Sequence, residues 1–168
     1  MIALERVLVA TDFSPASSVA VTYGRALSRA YNAKLTVLHV VDDLSERLLA
    51  SAVLTDSFGD LGKLQRELEA DGRRRISEVL SDEDRSDLHA EAVCVTSRSI
   101  AAAIVQCAKD RRIDLLVIGT HGRGLISHLL LGSVAERVLR LAPCPVLTVR
   151  DPERDFVLPD ALQTVARV

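Results

Sequence analysis

Short apolar runs alternate with longer amphipathic stretches along the chain. Five of these runs are rich in β-branched residues and have the length of strands. They lie at Arg6–Thr11, Lys34–Val41, His89–Val95, Asp114–Gly119 and Pro145–Val149. The first, second and fourth are almost continuously apolar, which is typical of strands that are buried on both faces.

The stretches between these runs carry apolar residues at helical spacing. One predicted helix has an apolar face made of Ile100, Ile104, Cys107 and Ala108. The last predicted helix has one made of Val134, Val138 and Leu141. A charged helix is expected from about Lys63 to Ser81. Five strands joined by helical crossovers predict a single α/β domain with a five-stranded parallel sheet flanked by helices on both faces.

Two segments fall outside this alternation. Residues 42–62 form a connection that is longer than most and holds a short helix, a mobile flap or both. Residues 151–168 follow the last strand and form a tail that packs on a neighbour or frays. We therefore expect one domain over residues 1–150 and a C-terminal tail over residues 151–168.

Size, charge and cysteine content exclude several classes of protein. A chain of 168 residues suits one domain, and a formal net charge of −2 does not favour nucleic-acid binding. No apolar run approaches the roughly 20 residues of a membrane helix. Cys94, Cys107 and Cys144 are widely spaced, which fits a reducing compartment and gives no metal-ligand pattern. We expect a cytoplasmic protein without a nucleic-acid or membrane partner and without a metal site.

The segment GTHGRGLISHLLLGS, residues 119–133, contains the candidate chemistry. It starts at the end of a predicted strand and finishes at the start of a predicted helix, where unpaired N–H groups and the helix dipole attract anions. Gly119, Gly122 and Gly132 allow the backbone to pass close to such an anion. Ser133 either caps the helix or donates its hydroxyl to a phosphate oxygen. The segment therefore predicts a phosphate cradle.

The common phosphate motifs do not match this segment. A P-loop needs a lysine, and there is none between Gly119 and Ser133. The dinucleotide fingerprint belongs after the first strand, where this chain has the glycine-free TDFSP. Protein kinases need an H-R-D segment, which is absent. The pattern that remains is G-x2-G-x9-G-[ST].

With this pattern the chain resembles the universal stress protein family over about residues 3–150. The resemblance rests on VLVATDFSPAS, LTVLHVVDD and DLLVIGTHGRGLISHLLLGSVAERVLRLAPCPVLTVR. It implies a five-stranded, Rossmann-like α/β fold of the adenine-nucleotide alpha-hydrolase-like kind. The glycine pattern is associated with the ATP-binding branch of the family, so the implied ligand is ATP, alone or with Mg²⁺ or Mn²⁺.

The resemblance also implies roles for individual residues. Asp12 would approach the ribose or adenine, and the backbone of Val40 would meet the adenine edge. The phosphates would be held by Gly119, Gly122, Gly132 and Ser133. We complete the candidate ATP-binding set with four neighbours of these positions, namely Thr11, Ile118, Arg123 and Val134. From the residues alone Asp12 has a second interpretation, as the cap of the helix that follows it.

One segment departs from the family pattern. Many members have Gly-x-Pro before the third main helix, where this chain has TSRSI, residues 96–100. Ser97 or Ser99 can cap that helix instead. Arg98 either reaches a phosphate or points into water. Two histidines are also weighed: His121, in the glycine segment, lacks a partner carboxylate, and His39 is best interpreted as a hydrogen-bonded core histidine.

Two functions of different classes follow. The first is a regulatory protein of the stress response that binds an adenine nucleotide. The second is a slow ATP hydrolase or nucleotidyl transferase on the same fold. Phosphoryl transfer needs a base or positioned water and cations on the γ-phosphate, and neither a base nor a loop lysine is evident. We therefore favour binding over catalysis and assign no catalytic residue.

A homodimer is expected through the last predicted strand. Pro145–Val149 should form a sheet edge, and it has neither a lysine nor an interior proline to protect it. A two-fold axis would pair this strand antiparallel with its copy and close the assembly at two subunits. Val146 and Thr148 should lie on one face of the strand, with Leu147 and Val149 on the other.

Overall fold

The sheet is parallel and has five strands, as predicted. A computed structural model of the chain describes residues 4–44, 58–120 and 131–151. The strands are β1 Arg6–Ala10, β2 Lys34–Asp42, β3 Glu91–Ser97, β4 Leu115–Gly119 and β5 Val146–Val149. Their order is β3-β2-β1-β4-β5, and each neighbouring pair is parallel.

Helices cover both faces of this sheet. They are α1 Pro15–Tyr31, α2 Phe58–Val79, α3 Asp82–Asp87, α4 Ile100–Asp110 and α5 Ser133–Leu141. Buried residues of α1 and α2, including Ala20, Val21 and Ile76, pack in one cluster with β1 and β2. Ile104 of α4 and Val138 of α5 pack in a second cluster. Since side chains of a strand alternate between faces, the two clusters are the two sides of the sheet.

The winding of the chain reverses between β1 and β4. α1 leaves β1 toward one face, whereas α5 leaves β4 toward the other. In open α/β sheets, such a reversal opens a crevice at the carboxyl ends of the strands, where ligands bind. No helix among the described residues is long and apolar enough to cross a bilayer.

The charged helix has other bounds than predicted, and a short helix follows it. Ser81 was expected to end the helix begun near Lys63, but it is the N-cap of α3 and forms a capping box with Asp84. Asp84 is buried and accepts hydrogen bonds from Arg25 at 2.8 Å and from Arg29 at 3.3 Å. These contacts tie α3 to α1 and explain why a six-residue helix forms despite lacking an apolar repeat.

Smaller corrections concern β3 and α5. β3 begins at Glu91 because His89, predicted to start it, has a left-handed φ of 46°. Leu141, predicted to lie on the apolar face of α5, is 59% exposed, because it is the last residue of the helix and no described element covers it. Ala135 and Val138 provide the buried contact of α5 instead.

The edge position of the last strand is confirmed. β5 pairs with β4 on one side and has no neighbour on the other among the described residues. Leu147 and Val149 pack into the cluster on the α1 side, whereas Val146 packs into the cluster on the α5 side. The predicted alternation of these side chains is therefore correct.

Candidate functional site

A cleft of about 580 Å³ lies over the carboxyl ends of β1, β2 and β4. This volume is within the range of small-molecule sites, roughly 300–1,000 Å³. The described members of the predicted ATP-binding set all line it, and these are Thr11, Asp12, Val40, Ile118, Gly119, Gly132, Ser133 and Val134. Gly122, Arg123 and the histidine His121 lie outside the described residues.

The loop from β1 to α1 forms one wall, and its side chains bond to one another. The Thr11 hydroxyl accepts from the Phe13 amide at 3.0 Å and lies 3.0 Å from the Ser17 hydroxyl. Asp12 Oδ1 accepts from the Ser14 amide at 3.0 Å. Ser14, and not Asp12, is the N-cap of α1 and accepts from the Ser17 amide at 3.3 Å. Much of the polar chemistry of this wall therefore holds the loop in shape.

Gly119, at the end of β4, packs against the same wall of the cleft. A Cβ at this position would lie 3.0 Å from Ala16 C and 3.0 Å from the Ser17 amide nitrogen. Both are backbone atoms and cannot rotate away. Gly119 therefore lets the end of β4 pack directly on the first turn of α1, whether or not a ligand is present.

The start of α5 forms the opposite wall. Its N-cap is Gly132, and no side chain caps it. Ser133 is the first residue of the helix, so its predicted capping role is wrong. The first helical hydrogen bond runs from the Glu136 amide to the Gly132 carbonyl at 2.9 Å. Residues 133–135 line the cleft, and their amides have no partner within the helix.

Gly132 does not need the conformational freedom of glycine. Its φ of −69° and ψ of 151° are accessible to any residue. Its amide donates to the Thr120 carbonyl at 2.6 Å, which holds the start of α5 against the end of β4. What glycine contributes here is the absence of a side chain beside exposed helix amides.

The base of the cleft is apolar. Val40 and Ile118 are buried, and their side chains belong to the core cluster on the α5 side. They line the cleft from the ends of β2 and β4. Since the Val40 side chain packs in the core, a ligand above β2 would meet mainly backbone atoms at this residue.

A third wall, contributed by α2, was missed by the sequence analysis. Arg75 Cζ lies 4.1 Å from the centroid of the Phe13 ring, whose centroid is 4.3 Å from that of His39. His39 Nδ1 is 2.8 Å from the Thr11 carbonyl, which can only accept, so this nitrogen carries the proton. His39 is thus hydrogen-bonded, as predicted, but it also lines the cleft. A glycine in the middle of the charged helix, Gly72, was the available signal for this close approach.

The TSRSI segment resolves into one cap and one ion pair. Ser99 is the N-cap of α4 and accepts from the Ala102 amide at 3.4 Å. Arg98 Nε lies 3.5 Å from Asp43 Oδ2, and the arginine side chain is 64% exposed. Arg98 is absent from the lining of the cleft. The solvent-facing interpretation of Arg98 is therefore the one that fits.

The described residues offer little reactive chemistry. No group of three or more histidine, cysteine or acidic residues among them is arranged to hold a metal ion. Burial raises the pKa of the Cys94 thiol, which lies near Gly72, and has the same effect on Cys107 and Cys144. These thiols are consequently poor nucleophiles at neutral pH.

A doubly wound parallel sheet with a cleft at its reversal point and helices on both faces defines a Rossmann-like α/β domain. The chain belongs to the universal stress protein family, whose model matches residues 3–150.

Individual relatives agree with this assignment. A universal stress protein of Thermus aquaticus is 35% identical over 144 residues, 86% of this chain and 97% of the relative. The structure of universal stress protein UspA from Lactobacillus plantarum is 26% identical, with a TM-score of 0.71 over 88% of this chain and 99% of the other. A universal stress protein solved in complex with cAMP is 25% identical, with a TM-score of 0.55 over 89% of this chain and 99% of the other.

Proposed function

We propose that this protein is a regulatory adenine-nucleotide-binding protein of the stress response, with ATP as its ligand. The observation that carries the proposal is the start of α5, whose first residues line the cleft and whose N-cap, Gly132, has no side chain to cap it. Anions bind readily at such helix ends. The family member in complex with cAMP supports an adenine nucleotide as the class of ligand.

In this proposal the amides of residues 133–135 and the Ser133 hydroxyl bind the phosphates. Gly122 and Arg123 would add phosphate contacts, as the family resemblance implies. Asp12 and Thr11 lie on the α1 wall, where Asp12 would meet the ribose or adenine. The adenine edge would contact the Val40 backbone above the apolar base of the cleft. ATP would bind alone or with Mg²⁺ or Mn²⁺ on its phosphates.

Binding, rather than turnover, is the proposed activity. Asp12 is the predicted acidic contact, and its Oδ1 is already an acceptor for the Ser14 amide. This oxygen therefore already has a partner within the loop. We expect ATP hydrolysis by the purified protein to be absent or far below the usual enzyme range of roughly 1–1,000 per second.

Calorimetric titration with ATP tests the placement of the phosphates. Gly132→Asp puts a carboxylate next to them and should weaken ATP binding at least about a hundredfold through repulsion at close range. Gly132→Asn is the matched control, because asparagine caps a helix equally well but carries no charge. It should retain measurable binding. Undiminished ATP affinity in Gly132→Asp would refute the proposed site.

We also propose a homodimer formed through β5. The Leu116 amide donates to Pro145 O, and the Thr120 amide donates to Val149 O. Backbone groups of alternate residues point to opposite sides of a strand. The N–H of Thr148 therefore points to the open edge, where it would pair with a second copy. Leu139 and Leu141, which are 43% and 59% exposed on the neighbouring helix α5, would extend the apolar contact.

Sedimentation velocity at micromolar concentration tests this dimer. Thr148→Pro removes an outward N–H and should give a folded monomer. Thr148→Val keeps the N–H and should remain a dimer. A monomeric wild-type protein would refute the dimer, and a Thr148→Pro dimer would move the interface away from β5.

We also propose a domain boundary and a cellular location for the protein. Residues 151–168 form a tail outside the family domain, since the family match ends at residue 150. The protein acts in the cytoplasm, where its three unpaired cysteines would stay reduced.

A further inference from the structure

The α2 wall of the cleft carries a cation that the proposed ATP contacts do not use. Arg75 is the sole lysine or arginine among the described residues that line the cleft. The acidic residues of this lining are Asp12, Asp42 and Asp71. A ligand group that settles at the α2 end therefore meets one positive charge among carboxylates.

Packing places this guanidinium in the cleft. A Cβ at Gly72 would lie 2.9 Å from Val41 Cγ2, 3.1 Å from His39 Cδ2 and 3.3 Å from Cys94 Sγ. Glycine thus allows α2 to approach β2 and β3 closely, and Arg75 follows three residues later on the helix.

The aromatic rings next to Arg75 hold it in position. Its guanidinium lies over one face of Phe13, at a distance typical of a cation–π contact. Phe13 has a left-handed φ of 63°, which is unusual for a bulky residue and is supported by the bond from its amide to Thr11 Oγ1. Arg75 Nη1 lies 3.9 Å from Asp71 Oδ2, which is too long for a hydrogen bond, and the other carboxylate oxygen of Asp71 accepts from Arg74. Packing on Phe13 therefore orients the guanidinium, whereas the Asp71 carboxylate does not form a hydrogen bond with it.

Arg75 and the start of α5 lie on different walls of the cleft. α2 and α5 cover opposite faces of the sheet, and β1 separates β2 from β4. A nucleotide whose 5′-phosphates lie at α5 would therefore extend its nucleoside toward β2 and Arg75.

We propose that Arg75 is a specificity-determining residue that binds a second phosphate, carried on the ribose of an adenine nucleotide. This inference rests on the proposed nucleotide-binding function and names the ligand class that the cleft selects. Arginine binds phosphate oxygens through paired N–H donors, and such charge-assisted bonds are stronger than neutral ones. Without Arg75, the nearby Asp71 and Asp42 would repel a ribose phosphate, so this single side chain decides the preference.

Calorimetry with AMP and with adenosine 3′,5′-bisphosphate tests the inference, because the two ligands differ only in the ribose phosphate. The wild-type protein should bind the bisphosphate about tenfold more tightly than AMP, the effect of one charge-assisted contact. Arg75→Gln should abolish this difference. Asp71→Asn should widen it, since it removes a competing carboxylate. Arg73→Gln removes the same charge from a position of α2 outside the cleft lining and should leave the ratio unchanged.

Three outcomes would overturn the inference: equal wild-type affinities, a preference that survives Arg75→Gln, or an equal loss of adenosine, AMP and bisphosphate binding in that variant. The last would assign Arg75 to the base instead of to a phosphate. Melting curves of each variant confirm that it is folded. The two proposals fail separately, because Gly132→Asp tests the phosphates at α5 and the ratio of ligand affinities tests Arg75.

Discussion

Two helices begin at the cleft, and their first turns are built in opposite ways. At the start of α1, Ser14 caps the helix, and the Thr11 and Ser17 hydroxyls bond to each other. At the start of α5, Gly132 occupies the cap position, and no side chain caps the helix. At α1 the Ser14 hydroxyl accepts from the Ser17 amide, whereas at α5 the N-cap has no side chain and the amides of residues 133–135 have no partner within the helix.

The other helices show that an uncapped end is not the rule in this chain. Ser81 caps α3 and Ser99 caps α4, each by accepting from a backbone amide. Serine is one of the best N-cap residues, so at these two helix ends it stabilises the fold. α5 has a serine too, but one position later, inside the helix. Ser133 therefore does not cap its helix as Ser14, Ser81 and Ser99 cap theirs.

The largest loss of stability is expected from substitution of Gly119, which packs against the start of α1. Gly119→Val adds a branched side chain against the backbone of Ala16 and Ser17 and should lower the free energy of unfolding by about 3 kcal/mol. Gly132→Ala is the control at the other end. Gly132 has an ordinary backbone conformation, so this change should alter stability by less than about 1 kcal/mol. Urea denaturation measures both, and equal losses would show that the two ends do not differ in this way.

The fold was predictable because its main signal is local. Buried strands such as β1 and β2 appear as continuous apolar runs, and the order of elements then requires a parallel sheet. The cleft also followed, since it lies where such a sheet reverses. α3 was missed because its stability comes from Asp84 and its contacts with α1, residues far away in the sequence.

The details of the site were less predictable than its position. The sequence could not decide whether Ser133 is the cap of α5 or its first residue, because a shift of one position leaves the pattern almost unchanged. Likewise, Asp12 and Ser14 are both good caps, and only the structure assigns the role to Ser14. The stack of Phe13, His39 and Arg75 joins three separate segments and has no joint signal in the sequence.

A second, smaller effect is expected at the capped end of α3. Burial disfavours the charged form of Asp84, but the Ser81 amide and Arg25 stabilise that form and bring the pKa of Asp84 below its ordinary value. Its contribution to stability is therefore complete above the unfolded-state pKa near 4 and is lost as the pH falls through the lower folded-state pKa. Asp84→Asn should reduce stability by about 2 kcal/mol at neutral pH.

The pH dependence distinguishes a charge effect from a lost contact. The difference in unfolding free energy between the wild type and Asp84→Asn should shrink as the pH falls below about 4. Asp87→Asn, on the same helix but exposed, serves as the control and should follow the wild-type profile. If the difference stays constant from pH 7 to pH 3, the Asp84 charge does not stabilise the helix.

A third effect, smaller again, concerns the cap of α1. Ser14→Ala removes the acceptor for the Ser17 amide and should lower the free energy of unfolding by about 1 kcal/mol. Ser18→Ala, in the first turn of the same helix, removes a hydroxyl that only bonds back to the Ser14 carbonyl, and should change stability by less than about half as much. Thermal melts compare the two variants. A Ser14→Ala protein as stable as the wild type would mean that the α1 end is not held by its cap.

The smallest effect on stability is expected at Ser133, where a substitution should instead weaken ATP binding. Ser133 is exposed and does not cap α5, so Ser133→Ala should change the free energy of unfolding by less than about 0.5 kcal/mol. If its hydroxyl donates to a phosphate, the same variant should bind ATP at least about tenfold more weakly, as for the loss of one hydrogen bond to a charged group. Ser133→Thr keeps the hydroxyl and should retain most of the affinity. Melting curves and calorimetry on the three proteins separate the two effects. A loss of stability without a loss of affinity would give Ser133 the folding role of Ser14, and the two helix ends would then no longer be opposites.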